Sequence, residues 1–177
     1  MKEYQIIYAD PPWEYRNKNT GGSMKSGASA KYATMSVSDI RALPIYKIAS
    51  ANCACFLWIT VPLLPEGLSV LSAWGFEYKT AIFWRKIMSL GMGYWFRGQV
   101  EICVLGIMGK VKAFRIQKPN FVQSKVGYHS EKPTEIRRLI EETGLIPRIE
   151  LFARQKVNGW DCWGNEVESD ISLDEMR

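Results

Sequence analysis

Apolar positions recur along the chain in short runs that polar loops separate, which is the pattern of alternating strands and helices. The first run covers residues 4–9 and stops at Asp10-Pro11-Pro12-Trp13, because proline cannot continue a strand ladder. Further strands are predicted over residues 53–60, 77–84, 100–108 and 148–153. Helices are predicted from Ser36 to about Leu43, over residues 63–74, and from Lys132-Pro133 to about Glu142.

The alternation of strands with helices predicts an α/β fold with a central, mostly parallel sheet flanked by helices. The stretches without such a pattern are predicted as loops, over residues 14–31, 87–93 and 110–127, and the acidic tail from Glu166 is expected to fray. In parallel sheets, ligands bind beyond the carboxyl ends of the strands. Asp10-Pro-Pro-Trp13 and Arg154 both follow predicted strands, which makes them candidate site residues.

Composition and charge narrow the class of protein without fixing its function. The 177 residues predict a single domain, and an apolar share of 47% is enough for a core. The 23 Lys and Arg against 18 Asp and Glu give a net charge of +5, which suits a polyanionic partner. Basic residues in the predicted loops could contact phosphates with little sequence preference: Lys18, Lys25, Lys31, Lys86, Arg97, Lys110, Lys112 and Lys118.

The cysteines argue against a metal site and for a reducing compartment. Four Cys form no C-x-x-C pair, and the chain has a single His, so we expect no structural metal. Cys53 and Cys55 lie in an apolar run and are expected to share one face of a buried strand. The sequence shows neither an apolar signal region nor a membrane-length apolar run, which predicts a cytoplasmic protein.

The tetrapeptide Asp10-Pro11-Pro12-Trp13 offers a rigid set of hydrogen-bond acceptors at a strand end. Two prolines fix the backbone and remove two N–H donors, which leaves the Asp10 carboxylate and the Pro11 carbonyl. Trp13 adds a flat apolar face, so the set is complementary to a planar base that carries an amino group. Two acceptors that hold the amine hydrogens can localise the nitrogen lone pair and stabilise the charge that develops when it attacks a methyl group. The alternative is a plain Pro-Pro turn with a packed Trp.

The tetrapeptide is part of a longer resemblance, from about residue 4 to residue 166, to the adenine amino-methyltransferases that carry an Asp-Pro-Pro-Trp motif. This family includes the catalytic subunit of the eukaryotic messenger-RNA adenosine methyltransferase and bacterial and phage DNA methylases. Its segments occur here in the expected order: Tyr8-Ala-Asp-Pro-Pro-Trp13, Lys31-Tyr-Ala-Thr-Met-Ser36, Phe56-Leu-Trp-Ile-Thr60, Trp74-Gly-Phe76, Gly93 to Gly106, His129-Ser-Glu-Lys-Pro133, Ile149-Glu-Leu-Phe-Ala-Arg154 and Gly159 to Glu166.

The resemblance implies a Rossmann-like S-adenosylmethionine-dependent methyltransferase with a permuted motif order. It implies that the catalytic residues are Asp10, Pro11, Pro12 and Trp13. It implies contacts to S-adenosyl-L-methionine from Asp10, Lys132, Glu150, Arg154, Asn165 and Glu166. The acceptor side is expected to use Trp13, Tyr32 and Glu101, with Lys18, Lys31 and Arg97 as loop cations. Structural interpretations stay open for several of these, such as a solvated Glu101, an ordinary helix-start Lys132 and a purely packed Trp160 or Trp163.

Several alternatives remain open at this stage. The acceptor is expected to be adenine in DNA, with RNA as the main alternative, and the same geometry also suits the amino group of cytosine. A different class is a non-catalytic paralogue that binds nucleic acid and supports an active partner, and a third is a small-molecule methyltransferase. So small a chain has little surface for reading several base pairs. We therefore expect loose or short-site specificity, or dependence on a homodimer or a partner subunit.

Overall fold

A computed structural model of the chain describes residues 2–14, 34–87, 95–127 and 131–173, and these residues form a mixed α/β structure. The strands, in chain order, are β1 (Tyr4–Ala9), β2 (Ala49–Thr60), β3 (Glu77–Ile87), β4 (Val100–Met108), β5 (Phe121–Lys125), β6 (Arg148–Leu151) and β7 (Asp161–Trp163). The helices are α1 (Val37–Arg41), α2 (Leu64–Ala73) and α3 (Thr134–Glu141). Short 3-10 turns cover Ile45–Lys47 and Val61–Leu63.

All seven strands belong to one sheet, in the order β5-β3-β4-β2-β1-β6-β7. Strand β1 is parallel to β2 and β6, β6 is parallel to β7, and β3 is parallel to β5. Strand β4 is antiparallel to both of its neighbours, β2 and β3. The predicted α/β class with a mostly parallel sheet is therefore confirmed, and β4 is the strand that runs against the rest.

Two strands lie where the sequence predicted none. Strand β5 falls in the stretch 110–127 that was expected to be irregular, and only alternate residues of this edge strand are partly buried. Its apolar signal is therefore weak. Strand β7 has three residues, too few to show a period of two.

The expectation of a frayed tail is wrong for residues 166–173. The backbone N–H of Cys162 in β7 donates a 2.8 Å hydrogen bond to the Asp170 carboxylate, and Leu173 is fully buried in the main core. The acidic tail therefore supplies a carboxylate that accepts a backbone hydrogen bond from the edge strand β7.

The two faces of the sheet carry separate apolar clusters. On one face, Cys53, Cys55, Leu57 and Ile59 of β2 pack with residues of α1 and α2. The approach of α2 is close, because a Cβ on Gly67 would lie 2.3 Å from the Ile59 side chain. The other face packs against α3. Its cluster contains Tyr8, Phe56, Trp58, Trp84, Cys103, Ile136, Ile140 and Trp160.

Local signals explain where the first and last helices begin. Ser36 caps α1: its hydroxyl accepts the Asp39 N–H at 3.1 Å and donates to the Asp39 carboxylate at 2.7 Å. Helix α3 starts after Pro133, whose extended backbone ends the preceding segment and brings Lys132 to the rim of the sheet. No helix among the described residues is long and apolar enough to cross a membrane.

Candidate active site

The reversed direction of β4 brings an acidic residue to the carboxyl edge of the parallel strands. Glu101, the second residue of β4, pairs with Thr60 at the end of β2 and with Trp84 near the end of β3. Asp10 follows β1 directly at the same edge. Side chains that are far apart in the sequence therefore converge on one rim, where α/β sheets bind ligands.

Four charged side chains form an alternating row along this rim. The Lys132 Nζ lies 2.7 Å from Oδ2 of Asp10 and 3.4 Å from Oε2 of Glu101. The other Glu101 oxygen, Oε1, accepts a hydrogen bond from Lys86. The row Asp10–Lys132–Glu101–Lys86 thus contains two carboxylates and two ammonium groups, with no net charge.

Burial makes these pairs stronger than surface ion pairs. The side chains of Lys132 and Glu101 are only 14% and 13% exposed, so Glu101 is not a solvated strand-entry residue. Burial by itself lowers the pKa of Lys132, but Asp10 and then Glu101 outweigh it, and the pKa lies above its ordinary value. Below the row, burial first and Asp10 second raise the pKa of Cys103, which keeps that thiol protonated.

Aromatic rings form the floor beneath the two lysines. The Lys132 Nζ lies 5.3 Å from the centre of the Trp58 ring, and the Lys86 Nζ lies 5.3 Å from that of Trp84. The Trp58 indole N–H donates to the Tyr8 hydroxyl at 2.7 Å. Lys86 was a candidate phosphate contact, but Glu101 and Trp84 hold its ammonium group at the rim, which argues against that contact.

The tetrapeptide forms a tight turn, and the side chain of its Trp is buried. Trp13 is only 6% exposed and packs in the main core, and its indole N–H donates to the Trp58 carbonyl at 3.0 Å. The Pro11 carbonyl accepts the Trp13 N–H at 2.9 Å, which closes a tight turn. This burial argues against a contact between Trp13 and the substrate base, which stays a prediction; in this structure the residue anchors the loop below the rim.

Asp10 is the acceptor that the turn presents outward. Its side chain is 29% exposed, and its Oδ2 atom is held by Lys132. Because one oxygen is fixed by the cation, the other can accept a hydrogen from a ligand. The Pro11 carbonyl has a second lone pair beside it.

A second group of candidate residues follows β6 and β7. Phe152 has a φ of 60° in the left-handed region and packs edge-on against Trp163, with ring centres 5.3 Å apart. Gly164 allows the two strand ends to meet, since a Cβ there would lie 2.3 Å from the Ala153 carbonyl oxygen. A strained residue directly after a strand is often found at a functional site.

The close contact between the two strand ends places Arg154 near Glu166. The Arg154 Nε lies 3.8 Å from a Glu166 carboxylate oxygen, and both side chains are exposed. Asn165 is exposed next to them. The structure therefore brings together three of the residues that the resemblance assigns to the cofactor, at the end of β6, which pairs with the strand that Asp10 follows.

Glu150 lies within β6 and has a structural partner that sequence analysis missed. Its carboxylate accepts a 2.7 Å hydrogen bond from Arg137 of α3, and both side chains are less than a fifth exposed. The Arg137 guanidinium also lies over the rings of Tyr8 and Trp160. The pair ties α3 to the sheet, and a cofactor contact of Glu150 stays a prediction. In the sequence, the only signal for the contact between Arg137 and Glu150 is the position of Arg137 on the polar side of an amphipathic helix.

The remaining predicted contacts fall into three groups. Tyr32, Lys18 and Lys31, like Lys25, lie outside the described residues. Arg97 is exposed in the segment that leads into β4. Lys110 and Lys112 follow the far end of β4, at the opposite edge of the sheet, and Lys118 is paired with Glu142.

The charged row lies at the rim beyond β1, and the exposed polar group of Arg154, Asn165 and Glu166 lies beyond β6 and β7. In α/β sheets, ligands bind at this position, at a switch point of the strand order. The chain matches the MT-A70 family over residues 4–166 and belongs to this family of methyltransferases. The family resemblance given by the sequence is therefore confirmed.

The named relatives that the chain resembles are covered by it to different extents. The chain is 34% identical to the type II methyltransferase M.MunI of Mycoplasma sp, over 94% of this chain and 78% of that protein. It is 30% identical to the mouse N(6)-adenine-specific methyltransferase METTL4, over 94% of this chain but 38% of METTL4. It is also 30% identical to the N6-methyladenosine RNA methyltransferase MTA1 of Pyricularia oryzae, over 93% of this chain and 47% of MTA1.

Proposed function

We propose that this protein transfers a methyl group from S-adenosyl-L-methionine to the N6 amino group of adenine in DNA. The observation that carries the proposal is the Asp10 carboxylate, which a buried lysine fixes by one oxygen at the carboxyl edge of the sheet. Membership of a methyltransferase family and the N6-adenine activity in the names of several relatives support it.

The residues at the rim fit the chemistry of this methyl donor. S-adenosylmethionine supplies an electrophilic methyl group on a cationic sulfur, and it also carries an ammonium, a carboxylate and a ribose diol. Arg154, Asn165 and Glu166 offer a cation, an amide and a carboxylate, all exposed at the edge. The ligand has no phosphate, and the strand end Leu151-Phe-Ala-Arg154 has no glycine-rich phosphate loop.

Asp10 has the properties needed to activate an aromatic amine. Since Lys132 holds Oδ2, the second carboxylate oxygen is the one that accepts an amine hydrogen, and the Pro11 carbonyl can accept the other. Holding both hydrogens favours a pyramidal nitrogen with a localised lone pair. The carboxylate would then stabilise the positive charge that builds on nitrogen as the N–C bond forms and the methyl–sulfur bond breaks. The neutral thioether S-adenosylhomocysteine would leave, the extra amine proton would pass to the carboxylate or to water, and no covalent enzyme intermediate is needed.

DNA is placed before RNA as the acceptor for two reasons. The relative that combines 34% identity with 78% coverage of its own length is a type II methyltransferase. The fungal relatives named as RNA methyltransferases match at 26% and 30% identity over about half of their length. RNA is the second candidate. A non-catalytic paralogue is disfavoured because Asp10, Lys132 and Glu101 form a complete, ion-paired row.

A methyl-transfer assay with labelled S-adenosylmethionine tests the proposal. Matched single- and double-stranded DNA and RNA are offered, and the modified base is identified by mass spectrometry. We expect N6-methyladenine in DNA with wild-type protein, none with Asp10→Ala, and wild-type levels with Glu77→Gln, whose exposed carboxylate begins β3 at the opposite edge. Methylation confined to RNA selects the second candidate. Cofactor binding without transfer to any acceptor points to a supporting paralogue.

A further inference from the structure

Two large aromatic side chains stand almost wholly in solvent. Trp95 is 92% exposed and Phe96 is 88% exposed. Among the other exposed large apolar residues that the structure describes, none exceeds 63%. Leaving two adjacent rings unburied forfeits the stabilisation that burial would give. Adjacent exposed rings of this kind mark an interaction surface.

These rings lie at the same edge of the sheet as the candidate active site. Trp95 and Phe96 precede β4, and the Gln99 carbonyl accepts the backbone N–H of Lys86 at 2.8 Å, which ties the segment to the end of β3. Glu101 of the charged row follows two residues after Gln99. A chain of six residues reaches at most about 20 Å, so Trp95 lies within that distance of Glu101 along the backbone.

The proposed reaction on a duplex leaves a gap in the base stack, and the tetrapeptide cannot fill this gap. An adenine in a duplex must leave the base stack before an enzyme can reach its amino group. The gap that remains is filled in many DNA-binding proteins by apolar side chains that insert between base steps. Trp13 cannot fill it, since it is 6% exposed and its indole N–H is bonded to the Trp58 carbonyl.

We propose that Trp95 and Phe96 form a wedge that inserts into duplex DNA beside the acceptor adenine and stacks on the neighbouring bases. The inference rests on the proposed function and adds the element that opens the duplex. Arg97, exposed directly after the two rings, is placed to contact the phosphate backbone of the opened step. Stacking needs only the flat face of each base, so this element does not itself specify a sequence.

Charge favours a nucleic acid over a second copy of this chain as the occupant. Arg97 flanks the wedge on one side, Arg85 is exposed near the end of β3, and the whole chain carries a net charge of +5. Two copies that meet through this edge would bring like charges together, whereas a duplex brings phosphates.

The test compares two duplexes that differ in how the acceptor adenine is held. In the first, the adenine is paired with thymine; in the second, it faces an abasic site and is already unpaired. Turnover at subsaturating DNA is measured for wild type, for Trp95→Ala/Phe96→Ala, and for Tyr46→Ala as the matched control. Tyr46 is 58% exposed in the 3-10 turn before β2, far from the rim. Because all three rings are exposed, truncation leaves the core intact, and thermal melting checks this.

We expect the double variant to lose about 10- to 100-fold on the paired duplex, the size of one or two lost base stacks, and less than about threefold on the abasic duplex. Trp95→Tyr/Phe96→Tyr is expected to restore most of the rate. Equal losses on both duplexes, no loss on either, or a changed oligomeric state in sedimentation would each overturn the wedge. If wild type methylates neither duplex while binding S-adenosylmethionine, the proposed function itself fails.

Discussion

The charged row predicts that Lys132 and Glu101 stabilise the fold only as a pair. Wild type has two carboxylates and two ammonium groups along Asp10–Lys132–Glu101–Lys86. Lys132→Met leaves one uncompensated negative charge, and Glu101→Gln leaves one uncompensated positive charge. The double variant Lys132→Met/Glu101→Gln is neutral again. We therefore expect the losses in unfolding free energy of the two single variants to add up to more than the loss of the double variant.

The size of this coupling follows from the geometry. Two unit charges 3.4 Å apart interact by about 5 kcal/mol at an effective dielectric constant of about 20. The side chains are 14% and 13% exposed, so solvent and relaxation reduce that value, and we expect a measured coupling of about 2–3 kcal/mol. In Lys132→Met, the Asp10 and Glu101 oxygens that lie 2.7 Å and 3.4 Å from Nζ are left at most about 6 Å apart, which adds a repulsion of about 3 kcal/mol or more before relaxation.

Urea unfolding of the four proteins at pH 7.5 measures the coupling as a double-mutant cycle. The pH dependence supplies a second readout. Since the pKa of Lys132 in the folded state lies above its ordinary value of 10.5, its contribution is fully present below that pH and is lost as the pH rises through the folded-state pKa. The difference between wild type and Lys132→Met should be constant from pH 7 to pH 9 and shrink above about pH 10.5.

Additive single substitutions, with a coupling below about 0.5 kcal/mol, would refute the reasoning. A difference between wild type and Lys132→Met that stays constant through high pH would do the same. Either result would mean that the row is solvated in solution and that Lys132 does not hold Asp10 in place.

Three further predictions concern the site and its surroundings. Asp10→Asn should lose at least about 100-fold in methyl transfer but melt within a few degrees of wild type, because its side chain is 29% exposed and a neutral amide cannot stabilise developing positive charge. Gly164→Ala should weaken S-adenosylmethionine binding in calorimetry and lower the melting temperature more than Gly98→Ala does; a Cβ clashes with backbone at 2.3 Å in the first case and meets nothing within 4 Å in the second. Arg97→Gln should reduce the salt slope of DNA binding by about 1, whereas Lys86→Gln should leave it unchanged, since Lys86 is already paired.

The sequence predicts the elements whose signals are local. The proline stop after residue 9, the Ser36 cap and the apolar runs place β1, α1, α2, β3 and β4 correctly within a few residues. The resemblance also identifies the family, because its segments occur in order over nearly the whole chain. These signals need no knowledge of which strands are neighbours.

The properties that depend on strand neighbours are those that the sequence does not show. Nothing in residues 100–108 indicates that β4 runs antiparallel, yet this direction alone brings Glu101 to the rim. The same holds for Lys86: a lysine before a glycine-containing loop has the pattern of a solvated residue, and only the register of β3 and β4 pairs it with Glu101. Trp13 has the flatness of a stacking residue, and only packing shows that its ring is buried.

The neutral row resolves an electrostatic conflict that the proposed reaction imposes. A lone Asp10 carboxylate at the rim would attract a cationic methyl donor but repel the phosphates of the acceptor strand. A lone Lys132 would attract phosphates and repel the donor. By alternating two acids with two lysines, the rim presents no net charge at the distance of an approaching strand, while Asp10 keeps a full negative charge at hydrogen-bond range. Screening in salt weakens interactions beyond about 10 Å and leaves this short-range field intact. In the proposed reaction, the direction of β4 therefore maintains the charge balance of the rim, because without Glu101 there the Asp10–Lys132 pair and Lys86 would carry an excess positive charge.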